Sequence, residues 1–204
     1  MNRIWGLISK LTAGRVYTRR AVDATAVYLT FDDGPHPEHT PRLLRLLARH
    51  DAHATFFLLG DRATRHQELV KTIVAAGHSL GNHSYTHPSF IDISMRRQLE
   101  EINRTERILE QLDGRCRHPF RPPSGRPTLG TIVLCLLRSH PMALWTHDSC
   151  DFALESGEVV EKLSGEQIAP GDILLFHDDG ATGLDALEIL LPHWRNKGLR
   201  FAAL

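Results

Sequence analysis

Three features are scarce or absent in this sequence, and each absence excludes a class of protein. Only three cysteines occur among the 204 residues and none forms a C-x-x-C pair, so we expect neither a disulfide framework nor a cysteine zinc site. No long apolar run is present, so the N-terminal segment is expected to be neither a secretory signal nor a transmembrane helix. Lysine plus arginine and aspartate plus glutamate number 24 each, which argues against a nucleic-acid-binding protein.

Length and composition describe one folded domain. A chain of 204 residues that is 42% hydrophobic can bury a sizeable core. We expect residues 23–204 to form this domain and residues 1–22 to form a basic N-terminal arm.

The arm contains five basic residues and no acidic residue within positions 1–20. Ile4, Trp5, Ile8 and Leu11 fall near helical spacing, with Arg3 and Lys10 available to a polar side. The arm therefore packs on the domain, is a loose end, or forms a short helix on an anionic membrane surface. Since no export signal is visible, we expect a cytoplasmic protein.

Short apolar strands alternate with helical segments along the rest of the chain. The first strand spans residues 26–32, and Thr40-Pro41 after it is typical of a capped helix start. Six further strands follow, at "ATFFLLG", "HSLGNH", "HPFRPP", "MALWTHD", "DILLFHD" and "LRFAA". About seven β/α units predict a parallel α/β fold, either an open doubly wound sheet or an incomplete barrel. Both place functional residues at the C-terminal ends of the strands.

Polar side chains follow five of these strands. They are Asp32, Asp33, His83, His87, Arg121, Asp148, Asp151 and His177. Adjacent carboxylates such as the Asp32–Asp33 pair repel each other unless a cation lies nearby. The H-x-x-x-H spacing of His83 and His87 would present both imidazoles to one point from a helical turn. Two histidines and one carboxylate with an open fourth position are typical of catalytic zinc.

Five motifs occur in a fixed order: T-F-D-D-G-P, H-S-x-x-H, R-P-P-x-G, D-x-x-D before an aromatic residue, and L-x-H. Together they resemble the NodB-homology polysaccharide deacetylases, carbohydrate esterase family 4, over about residues 25–203. The resemblance implies a single-domain α/β fold, a deformed (β/α)7 barrel. It also implies removal of N- or O-acetyl groups from sugars with one divalent metal ion, commonly Zn²⁺, with Co²⁺ or Ni²⁺ as alternatives.

The resemblance also assigns the central roles residue by residue. The implied metal ligands are Asp33, His83 and His87. The implied general base is Asp32, which would explain the aspartate pair: one carboxylate binds the cation and the other takes a proton. The implied general acid is His177, which would protonate the leaving amine.

Two further residues are implied to position this machinery. Arg121 would pair with Asp32 and fix its orientation. Asp151 is the residue that precedes the aromatic residue of its motif, and it would pair with His177 and keep the imidazole charged. Asp148 is the alternative partner.

The substrate-binding residues implied by the motifs are Ser124, Leu175 and Phe152. The amide of Ser124 would stabilise an oxyanion, and Leu175 would line the pocket for the acetyl methyl. Ser124 replaces a usual tyrosine and Phe152 a usual tryptophan, and both changes concern the substrate more than the chemistry.

We therefore predict a metal-dependent hydrolase of carbon–nitrogen bonds that removes N-acetyl groups from an N-acetylated oligo- or polysaccharide. As a cytoplasmic protein it would act either on a soluble oligosaccharide or on a precursor at the inner face of the membrane. Three alternatives are a hydrolase of non-sugar amides on the same barrel, an O-acetyl sugar esterase, and a non-catalytic sugar-binding relative.

Overall fold

The computed structural model describes residues 2–20 and 23–204, with side chains from residue 5 onward. Along these ranges the α-helices are α1 (Asn2–Leu11), α2 (His39–Arg49), α3 (Gly60–Arg65), α4 (Gln67–Ala75), α5 (Met95–Asp113), α6 (Leu129–Leu137), α7 (Ser156–Gly165) and α8 (Thr182–Asn196). The strands are β1 (Val16–Tyr17), β2 (Ala26–Asp32), β3 (Thr55–Leu58), β4 (Ser79–Asn82), β5 (Met142–Ala143), β6 (His147–Asp148), β7 (Ile173–His177) and β8 (Arg200–Ala202).

The strands form a parallel sheet that is curved into a barrel, with β2 as the central strand of its longest paired series. β7 pairs with residues 28–32 of β2, β3 with residues 30–32 and β8 with residues 26–28. β4 lies beside β3, and single bridges at Phe120 connect β4 to β5. β6 pairs with β7, and residues 144–146 connect β5 to β6 without pairing between these two strands. The predicted single-domain, deformed (β/α)7 barrel is confirmed.

All seven residues of β2 are buried, as in a parallel strand covered on both faces. Val27, Leu29 and Phe31 belong to the main core cluster, which includes apolar residues of α2 and α8. Alternation along the strand places Thr30 and Asp32 on the opposite face, inside the barrel. This alternation carries an acidic side chain into the mouth of the barrel.

Two predicted strands differ from the observed ones. Residues 118–123 pair only through bridges at Phe120, since the prolines at 119, 122 and 123 lack an amide to donate. Residues 142–148 are split into β5 and β6 because the chain changes partners. The Leu144 amide donates to Tyr17, whereas the Thr146 amide donates to Ile173 of β7.

Helix boundaries follow local signals in one helix and tertiary contacts in another. α5 begins after Ser94, whose side chain accepts from the Arg97 amide, and ends at Gly114, which has φ +75°. The predicted cap Thr40 instead lies inside α2. Its Oγ1 donates to Asp178 Oδ2 at 2.6 Å, so this hydroxyl contacts the segment that follows β7.

The N-terminal arm packs on the barrel wall. Trp5 and Ile8 of α1 contact an apolar cluster that includes Phe120 and Met142, and β1 pairs with β5. The side chains of Arg3 and Ile4 lie outside the described residues. No described helix is both long enough and apolar enough to cross a membrane. The division into residues 1–22 and 23–204 stays a prediction.

Candidate active site

The parallel register brings polar strand ends together at one mouth of the barrel. Asp32 of β2 lies directly beside His177 of β7. β4 lies beside β3, on the side away from β2. Its last residue is Asn82, and His83 follows. Residues distant in sequence therefore meet at the carboxyl ends of the strands, as the β/α pattern predicts.

Asp33, His83 and His87 form a cluster suited to one cation. Their potential ligand atoms all lie within 4.8 Å of one another. Asp33 Oδ1 is 3.6 Å from His83 Nε2 and 3.6 Å from His87 Nε2. Ligand atoms bonded at about 2.1 Å to a tetrahedral Zn²⁺ lie about 3.4 Å apart, so the three side chains need little movement to bind such an ion.

The polar contacts of the cluster also fit a bound cation. Asp33 Oδ1 is buried and has no hydrogen-bond partner among the described residues, an arrangement that costs free energy unless a cation satisfies it. Burial lowers the pKa of His83, so its ring is neutral, as a metal ligand must be. His83 Nδ1 lies 2.8 Å from the Arg121 carbonyl oxygen, and donation there leaves Nε2 for the metal.

The two histidines converge through a loop, so the predicted helical turn is wrong. Ser84 and His87 have φ of +72° and +57°, which a right-handed helix cannot accommodate. Ser84 Oγ accepts a hydrogen bond from the His87 amide at 3.1 Å. The loop, and not helical periodicity, therefore aims both imidazoles at Asp33.

A buried glutamate that sequence reasoning missed anchors this loop. Glu101 on α5 is 2% exposed, and its Oε2 accepts from the amides of Tyr85 and Thr86 at 2.9 and 2.7 Å. Arg97 pairs with the other oxygen at 2.7 Å. An acidic residue on the apolar face of an amphipathic helix is the signal that could have indicated it.

Arg121 is fully buried and holds Asp32. Its Nη1 donates to Asp32 Oδ1 at 2.7 Å and to Thr30 Oγ1 at 2.9 Å. Its Nε and Nη2 donate to the carbonyls of Ala143 and Leu144, both at 3.1 Å. The structure thus brings the predicted pair together and satisfies the guanidinium in four directions.

His177 is paired with Asp151, the partner chosen from the motif. The two side chains meet at 2.7 Å between Nδ1 and Oδ1, and the His177 amide donates to Asp151 Oδ2 at 2.9 Å. Burial alone would lower the pKa of His177, but the Asp151 hydrogen bond and the charge of Asp32 raise it to about 9. Asp148 instead accepts from the Cys150 amide at 2.9 Å.

A cavity of about 410 Å³ opens beside the cation cluster. The predicted residues Ser124, Leu175 and Phe152 all line it. Leu175 is 3% exposed, whereas Phe152 is 70% exposed and contacts the His177 ring edge-on at 5.6 Å between centroids. Ser124 has φ +55° in a short 3-10 segment, and the role of its amide stays a prediction.

Trp145 adds an aromatic wall that the motifs did not indicate. It lies between β5 and β6 and lines the same cavity. Its ring packs against Gly125, where a Cβ atom would lie 2.2 Å from the indole. Glycine is therefore required for this close approach, and its φ of +62° also favours glycine. The cavity keeps an aromatic surface despite serine at position 124.

Buried contacts also fix the chain on both sides of Asp33. Arg62 donates to the Asp33 carbonyl at 2.8 Å. Asp178, 2% exposed, lies against Gly34 so closely that a Cβ there would be 2.2 Å from its carboxylate. Burial raises the pKa of Asp178 to about 7. Sequence reasoning assigned no role to Asp178 and missed this contact.

Comparison with known proteins places the chain in a family. The family profile described as polysaccharide deacetylase matches residues 19–142. A peptidoglycan-N-acetylglucosamine deacetylase of Bacillus cereus is 34% identical over 182 residues, which are 87% of this chain and 66% of that protein. A chitooligosaccharide deacetylase of Rhizobium leguminosarum is 33% identical over 156 residues, 75% of this chain and 68% of that protein.

A solved structure shows the same barrel. It is a peptidoglycan N-acetylglucosamine deacetylase crystallised with 4-naphthalen-1-yl-N-oxidanyl-benzamide. It superposes with a TM-score of 0.86 at 32% identity and covers 93% of this chain and 90% of that one. This chain belongs to the polysaccharide deacetylase family, carbohydrate esterase family 4, as its motifs predict.

Proposed function

We propose that this chain hydrolyses the N-acetyl group of an amino sugar, with a divalent cation bound by Asp33, His83 and His87. The observation that supports this most strongly is the meeting of three units around one cavity: the cation cluster, the Asp32–Arg121 pair and the His177–Asp151 pair. A cation held in such a cluster supplies Lewis-acid chemistry, since it polarises a carbonyl oxygen and acidifies water. Zn²⁺ suits the donor set best, with Co²⁺ or Ni²⁺ as alternatives.

Asp32 is proposed to accept the proton of the attacking water. Arg121 occupies Oδ1, while Oδ2 lies 3.6 Å from His83 Nε2, next to the cation cluster. The hydrogen bond to Oδ1 restricts rotation of the carboxylate and keeps Oδ2 directed at this position. The two adjacent aspartates differ in their partners, since Arg121 bonds to Asp32 whereas Asp33 faces both His83 and His87.

His177 is proposed to protonate the leaving nitrogen. Asp151 occupies Nδ1, so Nε2 is the atom available on the cavity side. A pKa of about 9 keeps the imidazolium charged at neutral pH. An amine is a poor leaving group unless it is protonated, so a charged acid suits an amide more than an ester.

The proposed substrate is an N-acetylated oligo- or polysaccharide. Two relatives are named for peptidoglycan N-acetylglucosamine and for chitooligosaccharide. Trp145 and Phe152 supply apolar faces of the kind that stack on sugar rings, and Leu175 lies deeper, where an acetyl methyl would fit. Cytoplasmic location stays a proposal; fractionation of cells that express a tagged chain tests it.

Acetate release from N-acetylglucosamine oligomers and from peptidoglycan fragments tests the proposal. We expect release that stops with chelator, returns with Zn²⁺ or Co²⁺, and falls at least about 100-fold in Asp32→Asn with its metal retained. Asp185→Asn, an exposed aspartate on α8, is the matched control and should behave as wild type. No release from any glycan by metal-loaded protein would contradict the proposal, and so would a fully active Asp32→Asn enzyme.

A further inference from the structure

Exposed aliphatic side chains concentrate on two helices away from the active site. On α6, Leu129, Val133 and Leu137 recur at every fourth position and are 79%, 41% and 76% exposed. On α1, Leu7 and Leu11 are 60% and 77% exposed. Exposed leucines grouped in this way usually mark a contact surface. We call these five side chains the α1–α6 face.

Both helices pack on the same part of the barrel. Trp5 and Ile8 of α1 and Ile132 of α6 pack against one apolar cluster. Arg15, which follows α1, directs its Nη1 to the Leu136 carbonyl at 3.4 Å, near the end of α6. The inward sides of both helices are therefore used for packing, and the α1–α6 face is what remains outside.

Basic side chains border this face. Lys10 and Arg15 are exposed, residues 1–20 contain no acid, and α6 contains no charged residue. Arg138 directly follows α6 and lines a depression of about 340 Å³ together with Arg107 and Arg117. In a chain whose formal net charge is zero, this is a local excess of positive charge beside an apolar surface.

The carboxylate inside this depression is already engaged. Glu106 Oε1 lies 3.0 Å from His118 Nδ1, and Oε2 accepts from Asn82 at 3.1 Å. His118, after α5, and Asn82, at the end of β4, therefore hold its charge, and the exposed arginines dominate what a ligand meets.

We propose that the α1–α6 face and its basic border dock on the surface of an anionic lipid bilayer. The aliphatic side chains enter the headgroup boundary while the arginines and Lys10 contact lipid phosphates, which is the division of roles found in peripheral membrane helices. A helix of nine residues is about 13 Å long, too short to cross a hydrocarbon core of about 30 Å, so α6 would lie along the surface. A neutral bilayer or an uncharged protein would not explain the basic border. The proposal does not depend on the deacetylase reaction.

Co-sedimentation with vesicles tests the proposal. We expect binding to phosphatidylglycerol-containing vesicles, with little binding to pure phosphatidylcholine. Leu137→Gln should weaken binding several-fold, whereas Ile189→Gln, a 59% exposed residue on α8, should not. Arg117→Glu should weaken it about fivefold or more, and Arg45→Glu, an exposed arginine on α2, should match wild type.

Circular dichroism of each variant and acetate release from a soluble oligosaccharide serve as controls, and both should stay unchanged. Three results would overturn the proposal. The first is absence of wild-type binding to anionic vesicles. The second is an equal effect of Leu137→Gln and Ile189→Gln. The third is a dimer, measured by light scattering, that Leu137→Gln dissociates while vesicle binding persists, since a second copy would then occupy the face.

Discussion

The barrel has a regular half and an irregular half, and the site uses them differently. The regular half consists of β2, β3, β4 and β7, which have four to seven residues each in continuous parallel pairing. The irregular half consists of the bridges at Phe120 and of β5 and β6, with two residues each. The proposed base and acid end strands of the regular half, and the proposed metal ligands follow its strands.

The irregular half supplies the aromatic part of the cavity wall. Ser124, Gly125, Trp145 and Phe152 lie on segments with little strand pairing. Proton transfer and metal binding need groups fixed to a fraction of an ångström, which continuous strands supply. Sugar recognition tolerates more variation, so it suits segments with fewer backbone constraints. Substitutions in the regular half should therefore affect kcat, and those in the irregular half should affect KM.

The largest expected effect concerns the regular half. His87→Ala removes one of the three proposed metal ligands, so both stoichiometric metal binding and acetate release should fall to background. Metal content after dialysis and initial rates measure this. His50→Ala, a histidine at the end of α2, is the control. If His87→Ala kept both its metal and its rate, His87 would not be a metal ligand, and the role assigned to the regular half would be contradicted.

His177→Ala should lower kcat for an N-acetyl sugar about 10²- to 10⁴-fold with metal content unchanged. The kcat for an O-acetyl sugar should fall less, because an alkoxide leaves more readily than the anion of an amine. The ratio of the two losses is the measurement. Equal losses on amide and ester would argue against His177 as the acid for the leaving nitrogen.

Trp145→Ala tests the irregular half. Loss of an aromatic contact worth about 1 to 1.5 kcal/mol should raise KM about tenfold and change kcat less than about twofold. Phe152→Ala, the more exposed aromatic of the same cavity, should raise KM less. If Trp145→Ala lowered kcat and left KM alone, the division between the halves would be wrong.

The smallest expected effect is a pH dependence of stability. The folded-state pKa of His177, about 9, is above its ordinary value of 6.5, so its ion pair stabilises the fold fully below about pH 6.5. This contribution is lost as pH rises to about 9. In chelator-treated protein, Asp151→Asn should be less stable than wild type at pH 6, and the gap should narrow by pH 9. Denaturant unfolding at both pH values measures it, and a constant gap would contradict the assignment.

The sequence predicts structure well where neighbouring residues decide it. Alternation gives the strand at 26–32, and Ser94 and Gly114 give the ends of α5. Pairing between distant segments is not readable from local pattern. The single bridges at Phe120 and the change of partner within residues 142–148 depend on β1, β4 and β7 at once. Thr40 is not a cap for the same reason, because Asp178, directly after β7, accepts a hydrogen bond from its hydroxyl.

The site shows the same division. Asp33, His83 and His87 can be identified from the sequence because an aspartate and two histidines in these motifs are typical of a metal site. Their chemical roles stay predictions until they are measured. Glu101 and Trp145 act through their positions; the only local signal for Glu101 is an acidic residue on the apolar face of α5, and no motif marks Trp145.

Arg121 has a consequence for how such a barrel evolves. Its guanidinium joins Asp32 in the regular half to Ala143 and Leu144 in the irregular half. Without it, the buried Asp32 would lose the cationic side chain that is bonded to Oδ1, at a cost of about 3–5 kcal/mol in stability. A descendant that had lost its chemistry would still be selected to retain this arginine as long as it retained the aspartate. The Asp32–Arg121 pair in a homologue would therefore report on the stability of the barrel. Retention of His83 and His87 would be the better guide to activity.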